Sequence, residues 1–499
     1  MRPIIKEVDS ETTPEGLVEN LCGSRGAVLL RSHPHDSNQG RYSFVAAEPF
    51  LTFRSFGPRC ETRSTSGGQQ QFGNPWAVLD TLMARYEILD EVDLPFPLGG
   101  CFGFWGYDLK NFVEPRLKRR AVDDLDLPDC NVGFYDSLVV FDHQLLKAWI
   151  VSTGLAEDGS RDRNRALNAL ARWRDRLMRG EATPQVADES RAQNENDARL
   201  SSNLTREEFI ERVEQAQRYI RSGDIYQVNL AHRLTTPWPN GGWDLYRRLA
   251  DISPAPFAAW LDCGDFQIAC SSPERFLKLS GPHIETRPIK GTRPRSNEPD
   301  EDARLAFELQ TSGKERAELV MITDLLRNDL GRVCEFGTVK VPDLLRLERF
   351  AQVQHLVSTV EGRLREDITH FNAFASCFPG GSITGAPKIR AMEIIDELEP
   401  VTRGPYTGCI GYLGFNRESQ LNIAIRTAVC AQRRAWFHAG AGIVADSDPA
   451  AEHDETLAKA AGFLAALNHP NKAARRVLVG GGNSPTVRTD KTNSSQTTR

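Results

Sequence analysis

Between Glu181 and Asn203 the chain turns polar and loses almost all aromatic residues. Such a run cannot bury enough apolar surface to offset the entropy of ordering it, so a linker or long surface loop is expected there. At 499 residues the chain also exceeds the length over which one hydrophobic core keeps growing. The expected organisation is an N-terminal subdomain over 1–190, a polar connection over 191–203, a denser region over 204–467 and a tail over 468–499. That tail is basic and rich in Gly, Ser and Thr, which predicts disorder. A ligand belongs by default in the cleft where subdomains meet.

Composition excludes several classes of function. Hydrophobic residues at 40% and charged ones at 26% describe an ordinary globular protein. A net charge of -6 supplies no broad cationic field, so neither nucleic acid nor membrane is expected as a partner, and any anionic ligand must be attracted locally. No stretch approaches the roughly 18 apolar residues of a spanning helix. Met1–Thr13 is charged where a signal peptide would be apolar, so a cytoplasmic location is expected. The 10 cysteines form no Cys-x-x-Cys pair, which predicts reduced, buried thiols rather than a disulfide framework or a zinc site.

Local patterns predict a mixed chain. Gly26–Arg31, Tyr42–Ala46 and Asp136–Phe141 are short, β-branched or aromatic and bounded by turn residues, as strands are. Arg161–Arg179 is expected to be helical. Thr205-Arg-Glu-Glu208 has the capping-box pattern, and Phe209, Val213, Ala216 and Ile220 follow at helical spacing, with Gly223 marking the end.

Three groups of residues carry candidate chemistry. Glu315 and Glu318 are three apart on an expected helix whose other face is marked by Leu319, Ile322 and Leu326. A second helix, signalled by Asp448 and Pro449, carries Glu452, Glu455 and Lys459. Two such carboxylate pairs facing each other would repel, and a hard divalent cation, Mg2+ best, would relieve the repulsion. Solvated acidic helix faces have the same spacing, so the pairs alone do not decide. Lys290 stands in a stiff turn, between Pro288 and Gly291, among Arg287, Arg293 and Arg295. Like charge near it would favour the free amine a nucleophile needs; an anion-binding or surface lysine is the plainer alternative. Glu274 lies in a turn between apolar stretches, where partial burial would suit a general acid and a structural turn residue is the alternative.

Five segments change that balance: Gly223–Asn229, Pro288–Thr292, Asp324–Arg332, Phe378–Lys388 and Ala439–Val444. Together they resemble the chorismate-utilising synthases, most strongly over about 205 to 467. The family comprises the component I subunits of anthranilate and aminodeoxychorismate synthases, with isochorismate and salicylate synthases as more distant members. The resemblance implies an α/β fold of two large β-sheets facing each other with helices outside. It implies Mg2+ bound by Glu318 and Glu455, with Glu315 and Glu452 holding coordinated water and Lys459 close to a substrate carboxylate. Thr292, His355, Tyr406, Arg426 and the backbone of Gly440 to Gly442 match the family's contacts to ring polar groups and carboxylates. Helix or turn N–H donors at Gly440 to Gly442 would suit one of the two carboxylates of chorismate.

Within the family, position 290 is the most informative. Anthranilate synthases resemble Pro-Ile-Ala-Gly-Thr there, whereas Lys290 resembles the aminodeoxychorismate synthases. The amine would add at ring C2 while Glu274 protonates the departing C4 hydroxyl, and ammonia from a glutamine amidotransferase partner would then attack C4. Gln227 stands where isochorismate and salicylate synthases resemble a water-activating lysine, which argues against water as nucleophile. Gly99-Gly-Cys101-Phe-Gly103 superficially matches a glutaminase turn, but no His-Pro-Glu segment accompanies it, so Cys101 is expected to be a small strand-end residue. Ser32 keeps part of a possible tryptophan pocket, with Arg31 where feedback-sensitive members resemble Glu. The competing readings are anthranilate synthase component I and a non-catalytic scaffold that only activates the amidotransferase.

Overall fold

The computed structural model describes residues 1–468 apart from 10, 22, 33–39, 89–93, 180–199 and 351–352. Cys22, most of the expected linker and the tail beyond residue 468 therefore lie outside the described residues. Of the linker, 200–203 are described, and Ser201–Ser202 form a short strand.

Two 12-stranded sheets, with every named ladder antiparallel, carry the fold. In each sheet, five of the twelve strands come from before residue 180 and seven from after residue 200. In the first sheet the halves join where Val28–Arg31 pairs with Phe257–Asp262; in the second, where Gly100–Trp105 pairs with Cys409–Gly414. The boundary read in the polar stretch is thus crossed by backbone hydrogen bonds in both sheets, and the two blocks share their cores. Polarity along the chain carries no signal of which strands pair across that stretch.

The alternation of side chains along a strand assigns the layers. In Gly100–Trp105, Phe102 and Phe104 enter the core between the sheets, with Phe44, Leu138, Ile268 and Tyr412. Cys101 and Trp105 of the same strand face a second core under the helices. All six residues are buried, because both faces of the strand are covered. A third core packs the first sheet against the helices Gly241–Ile252, Arg163–Met178 and Pro449–Asn468.

The expected local elements form close to their predicted places, at Val28–Arg31, Tyr42–Ala46, Ser137–Asp142 and Arg163–Met178. Thr205 caps Arg206–Arg221 with the reciprocal capping box its sequence signals. Nine described cysteines are free and buried. Among the described residues no helix is long and apolar enough to cross a membrane.

Candidate functional site

The chain passes from the first sheet to the second between the strands Gln267–Ser272 and Arg275–Ser280, and Glu274 lies in that crossing. Its backbone is tied on both sides: its N–H donates to Ser272 Oγ at 3.2 Å, and its carbonyl accepts from Ile423 N–H at 3.0 Å. The side chain is buried, and Ser382 Oγ donates to Oε1 at 2.7 Å. Burial raises the carboxyl to about 7, against the opposing pull of Ser382 and Lys290. A carboxyl with that value is about half protonated near neutrality, so a proton donor is available there.

Lys290 belongs to a strand, Ile289–Pro294, rather than the turn expected from Pro288 and Gly291. The register against Val353–Arg363 slips between Lys290 and Thr292, so the Pro/Gly signature marks a bulge in a paired strand. Gly291 sits at φ +69°, and a Cβ there would stand 2.6 Å from Leu309 Cδ1. The expected crowd of arginines is dispersed. Arg287 pairs with Glu348, Arg293 with Glu308 at 2.9 Å and Arg295 with Asp302 at 2.7 Å. What faces the Lys290 ammonium is a carboxylate, Glu318, at 3.8 Å. Sequence neighbours on a strand alternate faces, which the basic run alone could not convey.

Glu315 and Glu318 lie on the helix Gly313–Gly331, Glu452 and Glu455 on Pro449–Asn468. The two helices bring their acids within electrostatic reach. Burial raises Glu318, and Glu315 and Glu455 push it the same way, while Lys290 and Lys314 oppose. Burial also raises Glu452, which accepts from Ser447 Oγ at 2.6 Å. Glu455 moves the other way: Lys459, at 2.7 Å, outweighs its partial burial and lowers it. A contact pair explains the difference from Glu318, whose lysine stands further off. Among the described residues no three His, Cys, Asp or Glu side chains are gathered tightly enough to hold an ion by themselves. The donor set nonetheless suits Mg2+, which keeps several waters and takes one or two protein carboxylates.

The expected substrate contacts fall around the same place. Thr292 and His355 are opposed on neighbouring strands, with Oγ1 and Nδ1 3.0 Å apart, and His355 Nδ1 is 3.1 Å from the Gly291 carbonyl. Burial lowers His355, so its ring is neutral, and Arg426 adds to the effect. Arg426 has a left-handed backbone, φ +49°, and its guanidinium has neither an ion pair nor a hydrogen bond among the described residues. A desolvated, unpaired guanidinium suits an incoming carboxylate.

Gly440 and Gly442 lie within the strand Arg434–Ile443, not at the helix or turn N-terminus expected from the glycine pattern. They are required for space. A Cβ at 440 would stand 2.8 Å from Tyr406 Oη, and one at 442 would stand 2.6 Å from Gln227 Nε2 and 3.8 Å from Lys290 Nζ. The strand Thr427–Ala431 pairs with this one only over residues 434–437, so on that side 438–443 have no neighbouring strand. Lys459 Nζ donates to the Gly440 carbonyl at 3.0 Å. Gln227 is buried, and its Oε1 has no hydrogen-bond partner among the described residues.

Ser32 is not part of this cluster. It borders a separate pocket with Tyr42, Phe44, Phe257 and Tyr412. Arg31 turns to Glu15 at 2.7 Å. A second pocket is bordered by Tyr406 but by neither Lys290 nor Glu274. Sequence reasoning quoted the segment holding Ser382 without giving it a role; the only signal was its place beside Gly380-Gly381. It also passed over Lys314, which acts on Glu318, Glu452 and Glu455.

Residues 37–465 match the family model described as chorismate binding enzyme. The chain is 39% identical over 471 residues to anthranilate synthase component 1 of Acetivibrio thermocellus, covering 93% of this chain and 95% of that protein. It is 40% identical over 439 residues to aminodeoxychorismate synthase component 1 of Escherichia coli K12, covering 87% and 91%. Among solved structures, anthranilate synthase component I from Streptococcus pneumoniae superposes with a TM-score of 0.74 at 32% identity, over 86% of this chain and 93% of that one. The menaquinone-specific isochorismate synthase of Escherichia coli shares the fold, with a TM-score of 0.69 at 18% identity over 93% of this chain and 94% of its own. The architecture is therefore that of facing antiparallel sheets with helices outside, and the chain belongs to the chorismate binding enzyme family.

Proposed function

We propose that this protein acts as an aminodeoxychorismate synthase component I, a transferase that converts chorismate and ammonia to 4-amino-4-deoxychorismate for 4-aminobenzoate and folate synthesis. A glutamine amidotransferase partner supplies the ammonia. The observation that carries this reading is Lys290: its amine lies within electrostatic reach of Glu274, a buried carboxyl raised to about 7.

In this reading Lys290 Nζ bonds to ring C2 as the C4–oxygen bond breaks. Glu274 gives its proton to the departing hydroxyl, which leaves as water. Ammonia then bonds to C4 while the C2–Nζ bond breaks and returns its electron pair to Lys290. The Glu274 carboxylate recovers a proton from the new ammonium group. Arg426 takes one substrate carboxylate, and Thr292 and His355 hold a ring polar group. Gly440 and Gly442 leave room for the substrate beside Tyr406, and Lys459 neutralises nearby negative charge. Glu318 and Glu455, with Glu315 and Glu452 on coordinated water, would hold Mg2+, which neutralises substrate carboxylate charge. The Gln227 amide cannot serve as a base for water.

A second reading has a specific observation in its favour: relatives as similar as 42% identical over 469 residues, from Thermus thermophilus, are anthranilate synthase component 1. Mass spectrometry of the products from chorismate, Mg2+ and ammonium separates the two. Our reading expects 4-amino-4-deoxychorismate and no pyruvate until an aminodeoxychorismate lyase is added. Anthranilate with pyruvate from this chain alone would establish the second.

A further inference from the structure

Ser382 lies in the short 3-10 turn Gly381–Ile383, between the helices His370–Cys377 and Lys388–Leu398. That turn is held from three sides. Lys388 Nζ spends three hydrogen bonds on Asp329 at 2.5 Å, the Cys377 carbonyl at 3.1 Å and the Pro379 carbonyl at 3.0 Å. Arg403 donates to the Ile383 carbonyl at 3.2 Å. Gly380 and Gly381 press so closely on Ile423 and Leu325 that a Cβ at either would stand 2.6 or 2.5 Å from a side-chain carbon. A segment fixed this firmly presents one hydroxyl, that of Ser382, to Glu274 Oε1. Among the described residues no hydrogen bond reaches Oε2.

We propose that Ser382 is a positioning residue for the Glu274 acid: its hydroxyl occupies Oε1, so the transferable proton is carried on Oε2, the oxygen left free for substrate. This rests on Glu274 being the proton donor of the function proposed above. The hydroxyl serves both states of the carboxyl. While Glu274 is protonated, the Ser382 hydroxyl holds the carbonyl-like oxygen and fixes the side-chain rotation. Once the proton has gone, the same hydrogen bond stabilises the carboxylate that remains. The one charged group acting on Glu274 among the described residues is Lys290, across the site on the strand Ile289–Pro294. Loss of the hydroxyl therefore removes a stabiliser of the anion and leaves burial opposed by Lys290 alone.

The test is an infrared difference titration of the folded protein, with Glu274→Gln subtracted to isolate this one carboxyl. The wild-type midpoint is expected near 7. In Ser382→Ala it should rise by about one to two pH units, the worth of one hydrogen bond to a charged group. Ser382→Thr should restore it. If the alanine variant does not fold, Ser382→Cys, a weaker donor, should move the midpoint in the same direction by less. An unchanged midpoint in a folded variant overturns the proposal.

The titration needs no substrate, so its outcome is independent of which product the protein makes. In turnover, followed as loss of chorismate, Ser382→Ala should lower kcat about tenfold on the acid side and carry the alkaline limb upward with the midpoint. A uniform fall in kcat with the limb unmoved would mark a merely structural serine and equally overturn the proposal.

Discussion

Two buried glutamates near the middle of the molecule, Glu399 and Glu274, are held in opposite ways. Glu399 meets Arg403 through two hydrogen bonds, of 2.8 and 2.6 Å, and accepts a third from Ala231 N–H at 2.9 Å. Arg403 goes on to donate to the carbonyls of Asn229 and Ile383 and to Thr407, so its donors are spent on structure. Burial works against both charges of this pair: it raises Glu399 against the pull of Arg403 and Ala231, while Glu399 more than restores the Arg403 charge. The difference from Glu274 therefore lies in the number of hydrogen bonds that match the carboxylate. Glu274 has a single hydroxyl and a lysine at a distance. A buried charge fully matched by hydrogen bonds joins strands; a buried acid left half-matched is free to exchange its proton. The same desolvation thus yields a structural pair in one place and a poised acid in the other.

The contrast is broken most sharply by removing each carboxylate function in turn. Glu274→Gln should lower chorismate turnover by on the order of 10²- to 10⁴-fold, the usual worth of a general acid, without loss of folding. Arg403→Met should instead leave a buried carboxylate unpaired and cost about 3–5 kcal/mol in chemical denaturation. If both substitutions unfolded the protein, the distinction between the two glutamates would fail.

Acidity sharpens the comparison further. The folded value of Glu274, about 7, lies above the unfolded carboxylate value of 4.5. Between those values the folded state holds the extra proton, so this group's contribution to stability is fully present below the unfolded value. It is lost as pH rises through the folded one. Glu274→Gln should therefore match wild type near pH 4 and exceed it by roughly 3 kcal/mol near pH 8, read from denaturation midpoints. In kcat, the wild-type alkaline limb should fall near the same value of about 7.

The smallest expected effects concern the metal-side acids. Glu318→Gln and Glu455→Gln should each weaken the half-saturation of activity by Mg2+ about 10- to 100-fold. Glu315→Gln and Glu452→Gln should do so by less than about tenfold if they act through water. Equal effects from all four would erase the inner and outer roles assigned to them.

Much of this was legible in the sequence because it is local or carried by motifs. Thr205–Glu208 announced a cap, and the five segments hold several of the residues that gather at the site, among them Gln227, Lys290, Thr292, Gly440 and Gly442. What escaped depends on pairing between distant strands. Lys290 was expected in a turn because Pro and Gly flank it, and only the partner strand Val353–Arg363 makes it a bulge. Gly440 and Gly442 looked like anion-binding turn glycines, yet they are strand residues kept small by Tyr406 and Gln227. The arginines around Lys290 went to Glu348, Glu308 and Asp302, acids that no local rule connects to them. Ser382 had no voice of its own until Glu274 was placed opposite it.

The central claim is that Lys290 acts as nucleophile, and comparing wild type with Lys290→Ala tests it most directly. Both proteins would be given chorismate, Mg2+ and ammonium, and 4-amino-4-deoxychorismate quantified by mass spectrometry. The account predicts that wild type forms it without pyruvate and that Lys290→Ala loses on the order of 10²-fold or more in rate while remaining folded. Equal formation by the alanine variant, or anthranilate with pyruvate from wild type, would contradict it.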